Sequence, residues 1–528
     1  MVFPKLFDPA DAQDILRYSK WLIGKTFYDI LEADAACKDD SALVSGYEIS
    51  KESKSSRLSD SAAEYGSIHR KGGLGNLVEE HFFHYRANSS QEPDFPLAKL
   101  ELKVSPYEER RGRGNRLGEI YCVAGERLVL TMIDFNQRPI QRNLLESHLW
   151  HKCGKILLVY YLRDRTLGNN LQYPIKYVGI FTPNPADLII IREDYEKIMD
   201  KIASGRAHEI SESDTMYLGA CTKGSTAERS VVVQNENGIK AQKRAFCFKS
   251  SYMTTVLNEY LINAPEEHES VVTDTDLLEK LGFERYIQSK INKFVGKTDK
   301  EICKIFGIEY SGNKAQWIKL AFAMLGIKSN KADEFQKANI AVKATRIEEE
   351  GYIRENTSLP PFKFKELVAE EWMEFDEESE GVNREDVIPS TLQSYFASTK
   401  FLFVVFKKHN NEYVLRGCQL WNMPFNDLNV IVRECWERAR DVVSNGVCFE
   451  IMETSTGKIR VYNNLPGESE NKITHVRPHS SKAYYKIEDY ESGNPKDGNE
   501  LPDGRWMTTQ CFWLNRGYVL SILRDDLK

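Results

Sequence analysis

Apolar residues run along this chain in two distinct registers. Near residue 100 the period is two: Leu100, Leu102 and Val104 alternate with Glu101 and Lys103. On a strand the apolar three turn to the core and the two charges share the opposite face. Earlier, Leu74, Leu77, Val78 and Phe82 recur at helical spacing, which predicts an amphipathic helix. Short apolar runs at 127–133, 155–162 and 176–181 predict strands, and they alternate with helical patterns such as the one around Asp194-Tyr195-Glu196-Lys197. The alternation predicts a mixed α/β chain.

The helix at 74–82 has Gly72, Gly73 and Gly75 in its first turns. Each glycine costs about 1 kcal/mol inside a helix, so their presence points to close approach of a backbone, from a neighbouring element or a DNA phosphate. Glu79 sits beside the apolar stripe, where a partly buried carboxylate persists by pairing or by binding metal. Asp94 lies across a turn through Pro96, and a hairpin there folds its carboxylate back beside Glu101. Hard oxygen ligands of this kind suit Mg²⁺, which keeps several waters and bridges to phosphate. Phosphodiester cleavage needs an attacking water, a sink for developing charge and help for the leaving oxygen. Lys103 serves the first two. Read singly, Glu101 and Lys103 are equally a solvated pair on a strand, and Glu79 a helix-edge glutamate in a salt bridge.

Together, Lys71-Gly-x-x-Gly-x-Leu-x-Glu79, Asp94-Phe-Pro and Glu101-Leu-Lys103 resemble the MutH family, which includes a mismatch-repair nicking endonuclease and the Sau3AI-type restriction enzymes specific for GATC. The resemblance continues through Ser147-His148-Leu-Trp-His151-Lys152, the strand from Lys155, the helix near Asp194, Tyr217-Leu-Gly-Ala-Cys-Thr-Lys223 and Lys243-Arg244-Ala-Phe246-Cys-Phe-Lys249. It spans nearly all of residues 15–260. It implies a PD-(D/E)xK restriction-endonuclease-like domain, with Asp94, Glu101 and Glu79 as Mg²⁺ ligands and Lys103 as the lysine that orients water or stabilises charge. It further implies that Lys71 and Lys152 lie along phosphate, that Lys223 reads base edges, and that Lys249 belongs to the DNA-contacting basic strand. Two positions depart from the family. Cys221-Thr222-Lys223 stands where the family often runs Arg-Pro-Lys, and Cys247 replaces an expected tyrosine.

The chain also aligns with itself. Ile23-Gly24-Lys25-Thr26 recurs as Val295-Gly296-Lys297-Thr298, and Asp94–Lys103 aligns without a gap with Glu334–Lys343. In the second copy Phe322 stands at the place of Glu79, Ala341 at that of Glu101 and Ala397 at that of Lys152, which leaves no Mg²⁺ cage. Thr474-His475-Val476-Arg477-Pro478-His479-Ser-Ser-Lys482 nevertheless resembles the family's base-reading loop better than the first copy does. Arginine is well shaped for bidentate contact with guanine, so Arg477, His479 and Lys482 are DNA-binding candidates in a module without catalysis; a decayed scaffold is the other reading. The fold expected is therefore α/β, with two tandem MutH-like domains, 1–265 catalytic and 266–528 a pseudo-nuclease that binds DNA as an effector. Each has a mixed central sheet flanked by helices.

A length of 528 residues exceeds what one core supports and fits two domains. The boundary falls near Asn263–Ser270, a polar, acidic stretch, and the acidic run at 368–387 reads as a solvated loop. A net charge of −7 argues against indiscriminate coating of nucleic acid. Local charge counts for more in a site-specific enzyme, and Arg110, Arg111, Arg113 and Arg116 form a glycine-softened basic loop suited to gripping backbone. Ten cysteines without paired spacing, no signal peptide and no long apolar run predict a cytoplasmic protein with no membrane partner.

The function expected is a type II restriction endonuclease making Mg²⁺-dependent double-strand cuts at GATC by attack of an activated water. Its partners would be duplex DNA bearing GATC and, by family analogy, a cognate DNA methyltransferase, with the chain a monomer or weak dimer when free and a dimer on DNA. The alternatives are a strand-nicking repair endonuclease and a non-catalytic GATC-binding or methylation-sensing protein.

Overall fold

The computed structural model describes residues 7–44, 65, 73–86, 91–111, 119–164, 166–223, 231–262, 269–372, 388–455, 457, 459–480 and 482–528. Lys71, Arg113, Arg116, the junction at 263–268 and most of the acidic run lie outside them.

In the amino-terminal half, β1 (Glu101–Arg111), β2 (Ile120–Ala124), β3 (Leu128–Ile133), β4 (Ile156–Leu162), β5 (Ile175–Phe181), β6 (Leu218–Thr222) and β7 (Arg244–Phe248) form two sheets. The first has order β2-β1-β4-β5, with β1 parallel to β4 and the outer pairs antiparallel; the second has order β3-β7-β6, antiparallel throughout. The apolar run of β4 is central because both its faces are covered, and Ile156 through Tyr160 are buried. Helix Pro185–Ala203 starts with Asn184 capping the amide of Asp187. It buries Ile190, Ile191, Ile198 and Ile202 in the main core.

The carboxy-terminal half repeats this plan with β8 (Ile340–Ile347), β9 (Thr357–Phe362), β10 (Lys400–His409), β11 (Glu412–Trp421), β12 (Thr474–Pro478) and β13 (Gln510–Leu514). The two sheets that match those of the first half have orders β8-β10-β11 and β9-β13-β12 with the same strand senses. Small backbone details repeat too. Gly24 and Gly296 have φ of +81° and +85°, a region that favours glycine. Their amides donate to Ile175 O at 2.8 Å and Leu415 O at 3.0 Å. Lys99 and Asn339, at matching places before β1 and β8, both have φ of +50°. Glu101 pairs with Ile156 and Ala341 with Phe401, so the gapless alignment of the two copies holds in three dimensions.

The halves share a core in which Tyr252 and Met253 join Leu278, Phe335 and Ala338. Within it Lys337, 2% exposed, reaches Asp187 of the first half at 3.0 Å and its own Asp333 at 2.6 Å. The acidic run departs from the solvated loop expected of it at one end. Glu370 is buried because its carboxylate accepts from the amide of Thr391, the first residue of helix Thr391–Ser398. No helix among the described residues is long and apolar enough to cross a membrane.

Candidate active site

The site is built where β1 begins. Phe95 and Leu100 bridge across a tight turn, so Asp94 returns beside Glu101, as the turn through Pro96 predicts. Asp94 Oδ2 accepts from the Leu102 amide at 2.8 Å, and the Asp94 amide donates to Glu101 Oε2 at 3.2 Å. The period-two pattern brings Lys103 Nζ to 2.6 Å from Glu101 Oε1. From the helix His148–Cys153 ahead of β4, Lys152 Nζ approaches the same oxygen to 3.8 Å. Lys152 thus stands beside the acidic cluster itself.

Glu79 lies on a one-turn π-helix, Val78–Phe82, that continues the α-helix Gly73–Leu77. The sequence pattern predicts a plain amphipathic helix there. The wider turn buries both Val78 and Phe82 and leaves Glu79 half-buried. At Gly75 an added Cβ would meet nothing within 4 Å, so no described neighbour requires the missing side chain.

The electrostatics describe a site short of positive charge. Burial, reinforced by Asp94 and Glu101, pushes the Glu79 carboxyl up to about 7. Burial also raises Glu101, which is 2% exposed, and Asp94 adds to the effect while Lys103 and Lys152 oppose it. For Lys103 burial disfavours the charge, but Glu101 beside it outweighs that and the net direction is upward. Lys103 therefore stays an ammonium. Among the described residues no three Asp, Glu, His or Cys side chains are gathered closely enough to hold an ion by themselves. Asp94 and Glu101 fit a divalent ion all the same, because Mg²⁺ is held by one or two carboxylates plus water and substrate phosphate. The buried Cys153 thiol next to them is raised to about 12 by burial and is no nucleophile at neutral pH.

Among the described residues the second copy has no counterpart to this cluster. Lys343 donates to Ser358 O at 3.2 Å and has no acid at the Ala341 place. Glu334, which corresponds to Asp94, accepts from the amides of Val271 at 2.8 Å and Val272 at 3.2 Å. The one acid that survived there now fastens the chain entering this half.

Lys249 requires a correction among the DNA-binding candidates. It is buried where the chain passes from β7 into helix Ser250–Val256, and its ammonium donates to Thr215 O at 2.6 Å. It is a structural lysine. Arg110 and Arg111 are exposed at the end of β1, and Arg110 lies 3.4 Å from Glu108. Lys223 is half-buried just past β6, whereas Arg477, His479 and Lys482 are exposed.

Sequence reasoning passed over Arg127 and Trp513. Arg127 contacts Glu212 at 2.5 Å, and its charge acts on Cys221 and Cys247, the two family departures. Trp513 lies under Arg477. Nothing in the local pattern marks either residue, since both act across strands distant in sequence.

A family model described as the DNA mismatch repair enzyme MutH matches residues 83–194, a span that includes Asp94, Glu101, Lys103 and Lys152. The chain is 30% identical over 479 residues to the type II restriction enzyme Sau3AI of Staphylococcus aureus, covering 87% of this chain and 93% of that protein. It is 25% identical over 190 residues to the DNA mismatch repair protein MutH of Shewanella woodyi, covering 36% of this chain and 76% of that protein. For the MutH of Shewanella baltica strain OS155 the figures are 27% over 195 residues, 36% and 79%. The mismatch-repair proteins thus match about one module, and the restriction enzyme matches both.

Proposed function

The chain belongs to the family of MutH-like type II restriction endonucleases that includes Sau3AI, site-specific deoxyribonucleases, and from that premise we propose that it makes Mg²⁺-dependent double-strand cuts at GATC with its first module alone. The observation that supports this most directly is the joining of Asp94, Glu101, Lys103 and Lys152 in one half, set against Ala341 and Ala397 at the matching places of the other.

A divalent ion held by Asp94 and Glu101, with Glu79 behind them, would lower the pKa of a water and neutralise charge on the scissile phosphate. The chain's own residues do the rest. Lys103, kept protonated by Glu101, holds the attacking water's oxygen and balances charge on the phosphate. Lys152 shields the buried carboxylate and offers a second cation to a non-bridging oxygen. The open space at Gly75 leaves room for a phosphate to meet helix backbone. Lys223 reads base edges beside the cut. Arg110 and Arg111 grip backbone outside it.

The second module, residues 266–528, binds another stretch of duplex through Arg477, His479 and Lys482 and cuts nothing. Duplex DNA bearing GATC is then the partner, with a methyltransferase protecting the host's own sites.

The test is digestion of methylated and unmethylated plasmid by the purified chain with Mg²⁺, followed by sequencing of the ends. Linear product with ends at GATC is expected. Nicked circles alone would favour a repair endonuclease, and intact plasmid under tight binding would favour a non-catalytic reader.

A further inference from the structure

One face of the β6–β7 pair and the same face of its copy differ systematically. Strand register puts Gly219 opposite Cys247 and Cys221 opposite Ala245 in the first module, and His475 opposite Trp513 and Arg477 opposite Cys511 in the second. Leu218 and Thr474 both face the last residue of the central strand, so these positions correspond one to one. A face of glycine, alanine and two cysteines has become a face of histidine, arginine, cysteine and tryptophan. Both departures from the family pattern in the first module, Cys221 and Cys247, occupy the places of Arg477 and Trp513. The arginine and the tryptophan are present together in one copy and absent together from the other.

The contacts explain why they would be kept as a pair. The Arg477 guanidinium carbon lies 5.1 Å from the centre of the Trp513 ring, and Trp513 Nε1 donates to Arg477 O at 3.2 Å. Trp513 thereby fixes both the backbone and the side chain of the arginine. Arg477 is exposed, and among the described residues no carboxylate pairs with it. His479 is also nearby, its ring 6.4 Å from that of Trp513 and its Nδ1 3.4 Å from Cys511 Sγ. An arginine stacked on an aromatic face keeps its planar donor fork turned outward, whereas one on a mobile side chain must be ordered when it binds.

We infer that Trp513 is a positioning residue that holds Arg477 ready for bidentate contact with a guanine edge, making the pair a base-reading unit of the second module only. This rests on the reading of that module as a DNA binder. Bidentate arginine contact uses guanine O6 and N7, so replacing N7 with carbon removes one acceptor and leaves the backbone charge unchanged.

The experiment titrates the full chain, in a Lys103→Ala background that keeps the duplex whole, with a GATC duplex and with one whose GATC guanines are 7-deazaguanine. Binding of the second equivalent of duplex is read for each variant. The parent chain should prefer guanine by about tenfold, and Arg477→Ala should erase the preference. Trp513→Leu, which keeps apolar bulk without a ring face, should reduce it to about twofold, while Trp513→Phe restores most of it. If Trp513→Leu keeps the full preference, or weakens both duplexes equally, the tryptophan does not position the arginine. The arginine's own role would survive that result. If Arg477→Ala changes nothing, or no second equivalent binds, the DNA-binding reading of the module falls and the inference falls with it. Should Trp513→Leu fail to fold, Trp513→Phe decides in the same assay, and equal binding of the two duplexes by it overturns the inference.

Discussion

At the scale of single residues, chemistry and packing make opposite demands on two lysines. Lys103 has Glu101 at 2.6 Å and keeps a side chain 21% exposed, so it is charged and can be reached. Lys103→Ala should reduce cleavage by at least a thousandfold while changing duplex affinity less than about threefold, as checked by gel assay and by fluorescence anisotropy. Near-normal cutting would remove Lys103 from the mechanism. Lys249 is the reverse case, buried with its ammonium on Thr215 O, and burial lowers its pKa. Lys249→Met should leave the salt dependence of DNA binding unchanged, since a buried ammonium releases no counterion. It should destabilise the chain by about 1–3 kcal/mol in urea unfolding, because a buried carbonyl loses its donor. A salt slope reduced by about one would restore Lys249 as a phosphate contact.

At the scale of elements, the hairpin from Asp94 to Lys103 and its copy from Glu334 to Lys343 have kept one backbone and parted in chemistry. The first turns its acids toward a common point. The second has assigned Glu334 to the amides of Val271 and Val272. Ala341→Glu should therefore not create a second metal site, and titration with Mn²⁺ should still find one ion per chain. Two ions would mean that Glu334 leaves its amides readily. The hairpin, the three short strands and the gapless repeat were legible because they follow from local rules, namely alternation, turn chemistry and self-similarity. The π-turn at Val78–Phe82 was not, since its extra residue per turn is set by what Val78 and Phe82 pack against. Lys249 and Lys155 look alike in sequence, and only the fold buries the first. The stacking of Arg477 on Trp513 spans 36 residues between paired strands, beyond any local pattern.

At the scale of the whole molecule, the GATC target proposed above sets one candidate cutting centre per chain against a palindrome with two scissile bonds. Two chains must meet on a site, or one must act twice. Cleavage at limiting enzyme should rise with the square of chain concentration, and ultracentrifugation should find two chains on a cognate duplex; a single bound chain that cuts both strands in one encounter would refute this. The joint between the halves predicts how stability depends on pH. Asp187, Asp333 and Glu259 surround Lys337, so three carboxyls face one ammonium across the shared core. Burial, with Asp333 close by and Lys337 pulling the other way, raises Glu259 from its ordinary 4.5 to about 7, and burial raises Asp187 as well. Below pH 4.5 Glu259 is protonated both folded and unfolded and costs nothing. Between 4.5 and about 7 the unfolded chain has released this proton while the folded one keeps it, so stability contributed by the joint falls as pH rises and then levels off. Melting temperature without added metal should decline across that window, and Glu259→Gln should flatten the decline and raise the melting temperature at pH 8. A variant that keeps the parent's slope would mean that the proton at the joint is held elsewhere.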